Sequence, residues 1–191
     1  AEDSHLFSGL DAEGFLPLYE AKLIHHYDHR WASFTTNGST REIHDTEKRD
    51  PGLVIRPRYW VSKAELLSRL QAQGWTKDWL IAWRGITNAT NERSAIGGIL
   101  PLSGIGHSCH VVFPGPSVHP REVACFIGNI SALSYDFLAR QKIGGSNFSF
   151  FISMQLPVLP PSAYDTTAIA FIQPRVLELT YTSHDLKPWA Q

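Results

Sequence analysis

Residues 79–101 read WLIAWRGITNATNERSAIGGILP. Two apolar runs, Trp79–Trp83 and Ala95–Leu100, stand on either side of a polar loop. Short runs rich in Trp and Ile, bounded by Gly and Asn, read as strands. The expectation is one strand over Asp78–Trp83 and another over Ser94–Leu100, with Gly97-Gly98 marking a bulge or a close backbone approach. Between them lie Thr87, Asn88, Thr90, Asn91, Glu92, Arg93 and Ser94. A corner needs only one Gly or Asn. Polar side chains held between two rigid elements suit contact with another polar molecule. Asn and Arg make paired hydrogen bonds to adenine and guanine edges. Arg84, Asn88, Asn91 and Arg93 are therefore candidate readers of bases or of a nucleic-acid backbone. The competing reading is a capped, solvated turn.

Upstream, Ala1–Gly14 reads as an irregular lead-in, and Leu16–His26 as a strand. Thr35–Gly52 is polar and turn-rich, which predicts a mobile loop over 35–52. Pro57–Val61 is a short extended piece. Ser62-Lys63-Ala64-Glu65 has the form of a capping box, and the helix that it opens runs to about Gln73, with Gly74 as its stop. Downstream, Gly106–Phe113 reads as a strand. A long helix is predicted over Pro120–Lys142, because Val123, Ile127, Ile130, Leu133, Phe137 and Leu138 recur at helical spacing. Gly144-Gly145 break it, and Phe148–Met154 reads as a further strand. From Asp165 the chain is mixed: Thr167–Ile172 is apolar, and Val176–Leu179 starts another element. The fold expected is α+β: a twisted, mostly antiparallel sheet with one long packed helix.

The chain has 191 residues, enough for one domain with a core. It contains no run of eighteen apolar residues, so no membrane span is expected. The start, AEDSHLF, lacks the basic and apolar regions of a signal peptide. It also lacks Met, which suggests a piece of a longer protein. Cys109 and Cys125 make no disulfide framework and point to reduced thiols in the cytoplasm. A net charge of −1 argues against a purely electrostatic nucleic-acid binder.

Several constellations could carry chemistry. His25, His26 and His29 lie beside Asp28, a donor set that suits zinc or iron. Side chains 25 and 26 would leave a strand on opposite faces, however, and no later His or Cys cluster completes a set. A polar rim fits better, and no metal is expected. Glu20-Ala21-Lys22, with Asp11 upstream, has the shape of a divalent-metal nuclease. An adenine-methylating site would need Asn or Asp before Pro-Pro and an aromatic residue, but Leu159 precedes Pro160-Pro161. No glycine-rich nucleotide turn, nucleophile elbow or P-loop is present. No catalysis and no cofactor are expected in this chain itself. Nucleic-acid contact remains. Lys22, His26, Arg30, Arg58, Arg140 and Lys142 are candidate phosphate contacts at loops and element ends, near Trp31, Tyr59, Trp60 and Trp83. The alternative is that these cations pair with Glu20, Asp28, Glu92 and Asp136.

Six stretches carry a family resemblance: LPLYEAKLIHHYDHRWASF (16–34), PRYWVS (57–62), WLIAWRGITNATNERSAIGGILPLSGIGH (79–107), NISALSYDFLARQKIGG (129–145), FFISMQLPVLPP (150–161) and RVLELTYTSHDLKPWA (175–190). In this order they resemble the target-recognition region of large bacterial DNA adenine methyltransferases and fused restriction-modification enzymes. That group includes type II and type ISP enzymes and the methylases of phage-defence systems of the BREX and DISARM kind. The chain departs from the pattern at Gly85, where an aspartate often follows the arginine. The resemblance implies a single target-recognition domain over 1–191, like the specificity domains of DNA methylases. Its partners would be double-stranded DNA and the methyltransferase domain of the same polypeptide, with no membrane involved. S-adenosylmethionine would bind elsewhere in that parent protein. Two alternatives stand beside this: a divergent Mg-dependent nuclease using Asp11, Glu20 and Lys22, and a structural module that braces a methylase without touching DNA.

Overall fold

The computed structural model describes residues 6–115 and 117–191, so the first five residues of the lead-in fall outside it. The expected strand pair is its centre. β6 (Trp79–Arg84) pairs antiparallel with β7 (Gly97–Pro101), from Trp79↔Pro101 to Trp83↔Gly97. On its other side β6 pairs antiparallel with β9 (Cys109–Val112). Tryptophan, leucine and isoleucine at nearly every β6 position leave that strand buried on both faces. Such a central strand reads as a continuous apolar run, without alternation.

The expected single sheet is instead three small ones. In one sheet the order is β1 (Phe7–Ser8), β5 (Trp60–Ser62), β2 (Phe15–Tyr19) and β8 (Gly104–Ile105). Its pairings are antiparallel except β2 with β8, which is parallel. A hairpin of β3 (Ala32–Phe34) and β4 (Thr40–Glu42) stands apart. The segment expected as a mobile loop, 35–52, holds β4, a turn with Gly38 at φ +83°, and helix α1 (Asp45–Lys48). Polar composition hid these elements because their hydrogen bonds are made by the backbone and by short caps.

β2 ends at Tyr19, well short of His26. The chain turns through a 3-10 helix at Ala21–Leu23 and a tight turn in which His25 and Asp28 exchange backbone hydrogen bonds of 2.7 and 3.0 Å. Tyr27 takes φ +62° at this turn. That left-handed conformation costs a non-glycine residue about 1–2 kcal/mol. α2 (Lys63–Ala72) matches its expectation, with Gly74 at φ +71° closing it. Only half of the capping box forms. Ser62 Oγ accepts from the Glu65 amide at 3.4 Å, while the Glu65 carboxylate accepts from Arg69 Nε at 2.8 Å.

The long helix expected over Pro120–Lys142 is two helices, α3 (Pro120–Ile130) and α4 (Leu133–Lys142). The chain becomes extended at Ala132, with ψ 145°. An unbroken helix would commit the Ser131 carbonyl to the amide of Tyr135. The break releases it, and Arg93 Nη2 donates to it instead. Apolar spacing continues across the break but changes meaning: Leu133 is 76% and Phe137 61% exposed, while Tyr135, Asp136 and Ala139 face inward.

The strand expected at Phe148–Met154 is the short helix α5 (Phe150–Ser153), capped by Ser149. Only a bridge between Asn147 and Ile86 remains of extended pairing there. The tail holds α6 (Thr166–Thr180), which continues through Pro174, and the terminal turn α7 (Lys187–Ala190). α6 packs on α3 where Gly128 leaves space, since a Cβ there would sit 3.1 Å from Ile172 Cγ2. The last turn returns to the core through Leu186 and Trp189, and Trp189 meets Trp79 edge-on at 4.8 Å. No helix among the described residues is long and apolar enough to cross a membrane.

Candidate functional site

The loop between β6 and β7 is fixed from beneath. Asp136, on the inward face of α4 and 4% exposed, accepts through one carboxylate oxygen from the amides of Ser94 and Ala95, both at 2.7 Å. Its other oxygen accepts from Arg140 Nε at 2.8 Å. Arg140, one helical turn on, donates to the carbonyls of Ala89, at 3.0 Å, and Glu92. Thr87 Oγ1 donates to the Ser94 carbonyl, and Ser94 Oγ to the Asn88 carbonyl, at 2.8 and 2.9 Å. Burial works against the Asp136 charge. The Ala95 amide, Arg140 and the Ser94 amide outweigh it and hold the carboxyl below its usual range.

What points outward from this frame is amide chemistry. Asn88 Oδ1 accepts from both the amide and the hydroxyl of Thr90 at 3.0 Å, which uses its acceptor and leaves its NH2 group outward. A bidentate pair with adenine needs both groups of the amide, so Asn88 is a donor only. Asn91 is exposed; its backbone amide donates to the Asn88 carbonyl at 3.1 Å, and its side chain makes a long 3.4 Å bond to Thr87 Oγ1. It keeps both groups of its amide for another molecule.

The expected arginine contacts divide differently. Arg30 is 1% exposed and donates to the carbonyls of Asp50 (2.9 Å), Leu53 (3.2 Å), Lys48 (3.1 Å) and Thr182 (2.7 Å). It ties segment 48–53 and the C-terminal segment to the centre and is not presented to a phosphate. Arg84 donates through Nε and Nη2 to the Ile24 carbonyl. Arg93 is spent on the Ser131 carbonyl and on His26 Nε2, at 3.0 Å. With Arg140 these are internal braces, and the carboxylate partners weighed from the sequence are largely replaced by backbone carbonyls. Carbonyl partners leave no trace in a sequence. Lys22 (46% exposed), Arg58 and Lys142 stay on the surface. Lys22 lies over the Phe34 ring at 4.4 Å, and Lys142 donates to Gln155 Oε1 at 3.3 Å.

No known protein-family model matches this chain, and no curated protein matches it.

His26 is pushed down to about 4, by burial and then by the charge of Arg93. The ring is therefore neutral at pH 7, Nε2 accepts from Arg93, and the proton sits on Nδ1. The three nearby histidines diverge: His25 lies against Trp31 at 4.4 Å, His26 meets Arg93, and His29 meets Asp185 at 3.1 Å. No group of three or more His, Cys, Asp or Glu side chains able to hold a metal occurs among the described residues. Glu20 faces Lys22 at 3.7 Å, while Asp11 lies on a groove with Arg56 and Trp60. Ser183, His29 and Asp185 form a cluster that the sequence reading missed. Both Ser183 Oγ (2.9 Å) and Asp185 meet the same nitrogen, Nε2, and His29 is buried. A proton relay needs the two ring nitrogens on different partners, so this cluster is a tie between the C-terminal segment and the turn at residues 25–28. Cys109 is pushed up to about 12 by burial and stays a thiol.

Proposed function

We propose that this chain is a DNA target-recognition module, with no catalytic site of its own, belonging to an adenine methyltransferase or restriction-modification protein. The observation that carries this reading is the loop at 86–93. Its backbone is held by Arg140, Asp136, Thr87 and Ser94, while the amides of Asn88 and Asn91 remain outward. A rigid frame with outward amides suits discrimination, because side chains already in place lose little freedom on contact. The ordered sequence blocks supply the class of parent protein and the S-adenosylmethionine that its methylase half would bind. In this reading Arg84, Arg93 and Arg140 hold the reader, and Asn91 is the side chain that meets a base edge.

Selection from a randomised duplex library by the purified chain, at low and at higher salt, tests this. An enriched consensus that survives the higher salt is the expected result, because salt erodes phosphate contacts and spares base contacts. Retention without consensus, vanishing with salt, would refute base reading by this chain.

A second reading, a module that braces a methylase without touching DNA, is favoured by one observation. Leu133, Phe137, Phe150, Phe151 and Met154 are large apolar side chains left exposed on α4, on α5 and at the residue that follows α5. Beside them a cavity of about 300 Å³, lined by Trp83, Tyr135, Phe148, Phe150 and Met154, opens outward. No retention of any duplex in the same selection would favour this reading.

A further inference from the structure

Four of the arginines expected to contact DNA, Arg30, Arg84, Arg93 and Arg140, are committed inside the fold, which turns attention to the arginines left on the surface. Arg56 and Arg58 are exposed, and neither forms a side-chain hydrogen bond or ion pair with a described residue. They flank Pro57 on an extended run in which Ile55 and Pro57 point inward. The run is fixed at Arg56 itself: its amide donates to Ser33 Oγ at 2.9 Å, and its carbonyl accepts from the Phe34 amide at 2.9 Å. Side chains two apart on an extended chain leave the same face roughly 7 Å apart, a spacing on the scale of neighbouring phosphates along one strand.

The surroundings add to this. The Arg58 guanidinium lies over the Tyr59 ring at 5.3 Å, and Tyr59 is exposed. Next to Arg56 runs an open groove of about 640 Å³, lined also by Phe15, Pro17, Pro57 and Trp60. Among the described residues, Asp11 is the one acidic side chain on that lining. A fixed cationic edge at a loop, beside an open groove, is the arrangement that contacts a phosphodiester backbone.

We infer that Arg56 and Arg58, with the groove beside them, form the phosphate-tracking surface of this chain, taking two successive phosphodiesters of one strand of the target duplex. This rests on the DNA-recognition reading and adds a contact that the Asn88–Asn91 tip does not supply. Asp11 opposes it and weakens the free site.

The test is the salt dependence of duplex binding by the 191-residue chain, using a duplex that carries the selected consensus or, if none emerges, a random-sequence duplex. Each phosphate neutralised contributes about −0.9 to the slope of log K against log salt. Arg56→Gln with Arg58→Gln is expected to make the slope shallower by about 1.8 and to lower affinity at low salt by tenfold or more, with an unchanged thermal midpoint. Asp11→Asn is expected to tighten binding, a change of sign that a merely structural role would not give. A consensus selected as before, with slope and affinity unchanged in the double variant, overturns this inference and leaves base reading standing. A shallower slope without any consensus supports the inference and refutes base reading. No duplex binding by the wild-type chain at low salt overturns both. Competition by polyglutamate as strong as by duplex, lost in the same variant, overturns it in favour of an acidic protein partner.

Discussion

Arg30 illustrates how a residue that looks like a surface contact is consumed by the fold. Its guanidinium satisfies four carbonyls from two stretches of chain, 48–53 and the C-terminal segment. Arg30→Met removes those bonds and leaves four carbonyls without their donor, at a cost of about 1–3 kcal/mol. Urea denaturation should show a midpoint well below that of the wild type; an unchanged midpoint would mean that the clamp carries no stability. His26 makes a second residue-scale prediction. Its folded pKa, about 4, lies below the usual histidine value. The unfolded chain therefore takes up the proton first, and the stability that His26 contributes is present above its unfolded value and lost as pH falls toward 4. His26→Gln, which keeps a hydrogen-bonding group but does not titrate, should flatten the fall in thermal midpoint between pH 6.5 and 4. An equally steep fall in the variant would assign the acid sensitivity to other groups.

At the scale of elements, local signals and tertiary ones part company. The α2 helix was legible because its start and stop are local: Ser62 caps it and Gly74 closes it. β6 and β7 were legible because their apolar runs are short and bounded by polar residues. The join between α3 and α4 was not legible. Leu133 and Phe137 keep the helical spacing of the core face, yet they point outward, and no Gly or Pro marks the break. What breaks the helix is a tertiary demand, the carbonyl that Arg93 takes from Ser131. α6 departs in the opposite way: Thr167–Ile172 and Val176–Leu179 read as separate pieces, but packing of Ile172 and Val176 against Gly128 holds one helix through Pro174. The pinned loop was half legible, since its polar side chains announced a site without telling which of them face inward. Asp136 is the element-scale test. Asp136→Ala strands the buried amides of Ser94 and Ala95, at about 1–3 kcal/mol for such unsatisfied groups. Amide hydrogen exchange should speed up at these two positions and through 86–93; protection equal to wild type would show that α4 does not hold the loop.

At the scale of the whole molecule, the C-terminal segment is tied back to the turn near residue 29 and to the central strand β6. His29 meets Ser183 and Asp185, Arg30 meets Thr182, and Trp189 closes on Trp79. This arrangement leaves three surfaces of different chemistry: the amide tip at 88–91, the cationic run at 56–58, and the apolar face of α4 and α5. Base reading is proposed for the first of these, where Asn91 carries the least engaged amide. Parallel selection from one randomised duplex library by wild type and by Asn91→Ala tests it most directly. Asn91 is exposed and its side chain donates only at 3.4 Å, to Thr87 Oγ1, so the variant should keep its thermal midpoint. In the Asn91→Ala selection, preference is expected to relax at one position of the consensus, by about 1–3 kcal/mol as for a lost bidentate pair, with the other positions unchanged. An identical consensus from both proteins would contradict it.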